Sequence, residues 1–199
     1  MKLYKHKNYQ EYLKLQIEES CKYKSDVWFN INEIKIICND IRSHIKHPRI
    51  GICHGVRSGL EIKIFSEILE GVEVIGTEIS KHSVIFERDK VSTRDFHNLK
   101  FDWFDKFDFI YSNSFDHSQA PTICLENWML SLKSGGRCYI HWEDENSKGK
   151  DFNASNCFVA TIEEMRDWVG KKYKVKELMC LNDNLRKEKE RTIFVLEKP

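Results

Sequence analysis

The spacing of apolar positions changes several times along the chain, and each change marks an element. Asn8 with Glu11, and Asn30 with Glu33, have the spacing of capping boxes, which predicts helices from Asn8 to about Lys24 and from Asn32 to Lys46. The second places Ile34, Ile37, Ile41 and Ile45 on one face, the stripe of a helix lying on a larger layer, and Pro48 stops it. From Arg49 the pattern shortens. "RIGIC" predicts a strand, a glycine-bearing loop follows, and Leu60, Ile64, Ile68 and Leu69 recur at helical spacing. "VEVIGTEIS" predicts a second strand that stops at the acidic Glu78, so the unit is β-α-β with parallel strands and a right-handed crossover.

The alternation continues to the end of the chain. "VSTRDF" is a short third strand and Phe107 to Asn113 a fourth; Pro121 to Leu132 is a helix, and "KSGG" turns into a fifth strand, "RCYIHW". Thr161 and Glu164 cap a further helix with Ile162, Met165, Trp168 and Val169 inward. "YKVKELMCL" and "RTIFVLE" are two last strands joined by the polar hairpin "NDNLRKEKE". The one long irregular stretch, "EDENSKGKDFNASN", follows a strand end, where open α/β sheets keep substrate contacts; acceptor recognition is expected there, with a solvated loop as the alternative. The organisation is an N-terminal helical cap over residues 1–48 and an α/β domain over 49–199.

Composition narrows the classes. At 199 residues with 41% hydrophobic content the chain suits one compact domain. Its 32 Lys and Arg against 31 Asp and Glu leave no field that would draw in nucleic acid or an anionic membrane. No signal core or membrane-length apolar run occurs, and the seven cysteines never pair as C-x-x-C, which fits a cytoplasmic protein without a disulfide framework. His44 and His47 have a helical spacing that suits a metal, but Pro48 follows and no carboxylate stands at ligand distance, so no metal is expected. Lys171, Lys172, Lys174 and Lys176 form a basic cluster; alternation puts the last three on one outward strand face, where they discourage edge pairing.

The candidate chemistry centres on "ICHGVRSG", between the first predicted strand and its helix. Gly55 and Gly59 are free to adopt backbone angles closed to other residues, and the helix that follows directs its free N–H groups at an anion. Gly59 to Glu78 spans nearly the distance at which a strand-end acid accepts from ribose hydroxyls. A nucleoside-containing cofactor with an acidic tail is implied. The spacing G-x-x-x-G, with Arg57 central, departs from the dinucleotide pattern G-x-G-x-x-G and disfavours NAD.

The order "RIGICHGVRSG", "VEVIGTEIS", "TRDF", "FDFIYSNSFDHS", a helix, "LKSGG" and a closing hairpin resembles the class I S-adenosylmethionine (SAM) dependent methyltransferases over Arg49 to Glu197. The resemblance implies a Rossmann-like α/β fold: a seven-stranded, mostly parallel sheet with an antiparallel last strand and helices on both faces. It further implies that Gly55 and Gly59 line the methionine end of SAM, that Glu78 with the adjacent Ile79 holds the ribose, and that Asp95 and Phe96 lie beside the adenine. Residues Ser112 to His117, Ser112 and Asn113 among them, would face the reacting methyl group. Where the family usually has an acid and a central glycine, this chain has Cys53 and Arg57; Arg57 offers a fork of donors to the cofactor carboxylate, and His54 a further hydrogen bond.

Methyl transfer is an in-line displacement accelerated mainly by proximity and alignment. If the acceptor must lose a proton, His117 and Asp116 are the candidates by position, while Asp116 as a helix cap and His117 as a cofactor seat are the alternatives. His141, Trp142 and Glu143 end the fifth strand, where they touch acceptor or form its wall. "SNSF" lacks the prolines of [DNS]-P-P-[FYW], which disfavours nucleic-acid bases as acceptors and leaves a small molecule. Two other readings stand: a methyltransferase-like scaffold that binds no SAM, and an NAD(P)-linked oxidoreductase.

Overall fold

In chain order the elements are β1 (Lys2–Leu3), α1 (Tyr9–Lys22), α2 (Ile31–His44), β2 (Ile50–His54), α3 (Leu60–Ile68), β3 (Glu73–Glu78) and β4 (Val91–Thr93). They continue with β5 (Phe107–Ser112), α4 (Pro121–Ser131), β6 (Leu132–Glu143), β7 (Phe158–Val159), α5 (Ile162–Gly170), β8 (Lys174–Met179) and β9 (Arg191–Glu197). The structure is a computed structural model and describes residues 1–144, 152–179 and 191–199. The predicted "NDNLRKEKE" connection and the middle of "EDENSKGKDFNASN" lie outside the described residues.

Seven strands form one sheet in the order β4-β3-β2-β5-β6-β9-β8. The first five are mutually parallel and β9 runs antiparallel to both neighbours, as the resemblance implies. From β2 the chain moves outward through β3 to β4 and then returns to β5 on the other side of β2. That reversal places the topological switch point, and with it a crevice, at the carboxyl ends of β2 and β5.

Alternation along the strands feeds two cores. Ile52, Ile110, Ile140 and Phe194 face α4 and α5, with Trp128, Leu125 and Met165. Cys53, Phe109, Tyr139 and Val195 face α2 and α3, where Ile34, Ile37, Ile41 and Phe65 are fully buried. The helix starts follow the predicted chemistry. Asn30 and Thr161 make both bonds of their capping boxes, while Asn8 accepts from Glu11 N but the Glu11 carboxylate turns to Lys7 N instead. α2 is pinned to the sheet through Asp40, which accepts from Arg137 (2.7 Å), Tyr139 (2.9 Å) and Lys176 (2.7 Å). Among the described residues no helix is long and apolar enough to cross a membrane.

Three details differ from expectation. The fifth strand begins at Leu132, so "KSGG" lies in an irregularity of the β5–β6 ladder, with Gly135 at φ +74° and its N–H bonded to Lys198, and is not a free turn. β1 and β7 form an unpredicted two-stranded antiparallel sheet that ties down the N-terminus. The lysine cluster does not share one face: Lys172 precedes β8 and reaches Glu126 of α4, whereas Lys174 and Lys176 alternate onto one face of β8, where Lys174 lies 3.8 Å from Glu197 and Lys176 turns to Asp40 of α2.

Candidate functional site

The loop after β2 sets the geometry of the crevice. Gly55 and Val56 donate to the Thr77 carbonyl at the end of β3, which folds the loop across the sheet edge. Gly55 has φ +70°, and a Cβ there would stand 2.7 Å from Ser114 Cβ, so the loops after β2 and β5 meet only because this side chain is missing. Arg57 also has a positive φ of 44°. Its backbone N–H donates to Glu78 Oε2 (2.7 Å), which draws the loop onto the end of β3 and carries the guanidinium into the crevice. Arg57 Nη1 is buried with no hydrogen-bond partner among the described residues, and the guanidinium lies 5.8 Å from the Trp28 ring centroid.

Two cavities meet at Gly55, Arg57, Ser114 and His117. The larger, about 340 Å³, extends over β5 and β6 to Asn113, Asp116, His141, Trp142 and Glu143. Its rim includes Asn153, Ser155 and Asn156, so the tail of the predicted long loop does reach the crevice. The smaller, about 50 Å³, lies between α1 and the ends of β3 and β4, against Glu78, Ile79 and Phe96.

The acid and base candidates stand in the larger cavity. The Ser155 carbonyl accepts from His117 Nδ1 (2.9 Å), which fixes the proton there and leaves Nε2 an acceptor, 3.9 Å from Asp116 Oδ1. Burial pushes the Asp116 carboxyl up; His117 opposes this and Glu143 adds to it. Sequence reasoning missed Glu61, one residue into α3. Its carboxyl is 5% exposed and lines the same cavity, and Oε2 is buried without a hydrogen-bond partner. Burial pushes it up to about 8, against the pull of its own backbone N–H, Arg57 and Asn113.

Other predicted residues are used differently. Cys53 is buried in the α2/α3 core and lines neither cavity. His54 does not turn toward the crevice: it stacks on Trp128 (4.7 Å between centroids), bonds Thr77 through Nδ1 (2.8 Å), and burial pushes its pKa down to about 3. The space beside Gly59 is filled by the Phe86 carbonyl, and Ile85 and Phe86 both donate to Ser58, so this glycine admits the protein's own loop. Ser112 is fully buried; its hydroxyl donates to the His54 carbonyl and accepts from Ser114 N, bracing the crevice from below.

The smaller cavity is closed by α1. Glu78 Oε1 accepts from Ser20 Oγ (2.7 Å) and Ser80 N (3.1 Å) in addition to the Arg57 bond on Oε2. Asp95 accepts from Tyr9 (2.9 Å) and from His97 Nδ1 (2.5 Å), and His97 Nε2 bonds Ser118 Oγ (2.8 Å). Burial alone would raise the Asp95 carboxyl, but the His97 and Tyr9 bonds hold it below the usual carboxylate range. This Asp-His-Ser chain has the order of a nucleophilic triad, yet Ser118 is fully buried and lines neither cavity; it anchors α1 and the loop after β5.

No protein-family model matches the chain, and no curated protein matches its sequence. Solved structures match its fold. The Burkholderia thailandensis 1,6-didemethyltoxoflavin-N1-methyltransferase, solved with 1,6-didemethyltoxoflavin and S-adenosylhomocysteine, superposes with a TM-score of 0.72 at 13% identity over 100% of this chain and 92% of its own. A SAM-dependent methyltransferase from Thermotoga maritima, described as a possible histamine N-methyltransferase, gives 0.63 at 18% identity over 94% and 100%. The [4+2]-cyclase SpnF gives 0.64 at 12% identity over 82% and 80%. The fold of this protein is the Rossmann-like α/β fold of these enzymes.

Proposed function

We propose that this protein is a SAM-dependent methyltransferase acting on a small molecule. The reading is carried by one juxtaposition: at the ends of the adjacent parallel strands β2 and β3, a glycine-bearing loop presents a buried, unpartnered guanidinium nitrogen while Glu78 stands beside it on the same crevice. Those residues fit the amino-acid end of SAM, whose carboxylate matches the Arg57 fork. They fit the ribose as well, because a carboxylate has room for about four hydrogen bonds and Glu78 makes three. Ile79 and Phe96 line the smaller cavity, as an adenine site would require.

When bound, the cofactor supplies an electrophilic methyl group on a sulfonium. The chain's own part is to hold the acceptor in line and to remove its proton. His117 Nε2 is the acceptor for that proton, and Asp116 stabilises the imidazolium that forms. A cavity of about 340 Å³ suits a small acceptor.

The likeness to a cyclase means that fold alone does not decide the chemistry. A second reading, a methyltransferase-like scaffold, is favoured by Ser20 and Tyr9, which occupy the two carboxylates of the nucleoside side. Calorimetric titration with S-adenosylhomocysteine separates the two. Binding that Glu78→Gln weakens supports the enzyme; no binding heat at millimolar ligand supports the scaffold.

A further inference from the structure

The inner face of α1 attaches to the protein mainly through polar groups. Its buried side chains are Tyr12, Gln16 and Ser20, and among the described residues no side chain of α1 enters either of the two apolar cores. Hydrogen bonds hold it instead: Tyr9 to Asp95 (2.9 Å), Gln16 to the Ser155 carbonyl (2.9 Å) and Ser20 to Glu78 (2.7 Å). An element held this way opens ahead of the rest of a fold. It must also open to admit a ligand, because the cavity beneath it is about 50 Å³ whereas ligand pockets begin at about 300 Å³.

Of the three attachments, Gln16 reaches the chemistry. Asn153 Oδ1 accepts from the N–H groups of Ser155 (2.8 Å) and Asn156 (3.0 Å), and the turn so formed offers the Ser155 carbonyl to two donors at once. One is Gln16 Nε2 from α1; the other is His117 Nδ1 from the loop after β5, also at 2.9 Å. Cys157 Sγ donates to the His117 carbonyl (3.2 Å), so the backbone there is held without α1. What α1 adds is closure over the ring's own bond: Gln16, only 7% exposed, takes the second lone pair of the carbonyl, which water would otherwise occupy.

We propose that Gln16 is a positioning residue that makes α1 the gate of the base. With the helix down, His117 is held with its proton on Nδ1 and with Nε2 free beside Asp116, because the tautomer of a histidine is set by the partner of its other nitrogen. With the helix lifted, water reaches the Ser155 carbonyl and the ring is released. The base role of His117 rests on the methyltransferase reading; the link between α1 and the ring does not. In a methyltransferase the device confines proton removal to the state in which the smaller cavity is covered.

The test follows one proton by NMR on the isotope-labelled full chain. The His117 ring signals are identified by their loss in His117→Gln, and exchange of Nδ1–H with water is measured by saturation transfer beside that of the α1 amides. Wild type should show a protected Nδ1–H and an unprotonated Nε2. Gln16→Leu, which keeps the bulk of the side chain, and Ser20→Ala, whose partner is Glu78, each remove one attachment of the helix. Each should speed exchange of the α1 amides and of Nδ1–H together, by about fivefold. A merely structural role would move the amides alone. An Nδ1–H rate unchanged in either variant overturns the gate, as does a wild-type ring with its proton on Nε2. S-adenosylhomocysteine is then titrated into the same samples. Binding, with ring exchange that ignores both substitutions, retains the methyltransferase reading and overturns the gate. Linked exchange, with no binding at millimolar ligand, retains the gate and overturns that reading.

Discussion

The two sides of the crevice treat their carboxylates in opposite ways. On the side covered by α1, Glu78 and Asp95 each accept three hydrogen bonds from the protein, several of them from elements far away in the chain. On the other side, Glu61 is equally buried but keeps one oxygen unmet. Closed, satisfied acids support the fold, whereas an unsatisfied buried acid weakens it and persists only where something else requires it. The contrast separates carboxylates whose hydrogen bonds the protein largely supplies from one it leaves partly unmet.

The most direct way to break the contrast is Glu78→Ala. It strands the Ser20 hydroxyl and the Arg57 and Ser80 N–H groups, so stability should fall by about 3 kcal/mol, seen in urea unfolding. A loss below about 1 kcal/mol would mean that Glu78 is as poorly matched as Glu61.

Glu61→Gln should act in the other direction. The folded-state pKa of Glu61 is raised from 4.5 to about 8, so its contribution to stability is intact below about pH 4.5 and is lost as pH rises through 8. The glutamine variant lacks that loss. Its stability should be close to wild type near pH 4.5 and exceed it by about 4 kcal/mol near pH 8.5. Parallel pH profiles for the two proteins would show that Glu61 does not titrate in this range.

The smallest effect concerns α1. Ser20→Ala and Tyr9→Phe each remove one bond that holds the helix over a carboxylate. Each should lower hydrogen-exchange protection in α1 and tighten S-adenosylhomocysteine binding by about threefold to tenfold. Weaker binding in both variants would mean that the helix clasps the nucleoside instead of competing with it.

The sheet was legible because each strand and sheet-packed helix buries a periodic apolar face, and because Asn30 and Thr161 cap locally. Gly55, Arg57 and Glu78 stand on the crevice at the strand ends where the sequence put them. Cys53 and His54 point away from the crevice because they belong to the strand itself, whose alternate side chains enter the two cores. Glu61 was hidden by its neighbours, although it stands three, four and seven residues before Ile64, Phe65 and Ile68; a carboxylate in line with a buried stripe is the signal that points to it. The placement of α1 had no such signal. Its buried face includes Gln16 and Ser20, whose partners are 139 and 58 residues away.

The pairing of β1 with β7 sets how α1 is held. The chain is fastened before α1 by that small sheet and after it by α2, which Asp40 locks to β6 and β8. Tyr9 and Ser20 stand about 16 Å apart along the helix axis. α1 is thus held at both ends as well as along its length, a strap across the smaller cavity and not a free arm.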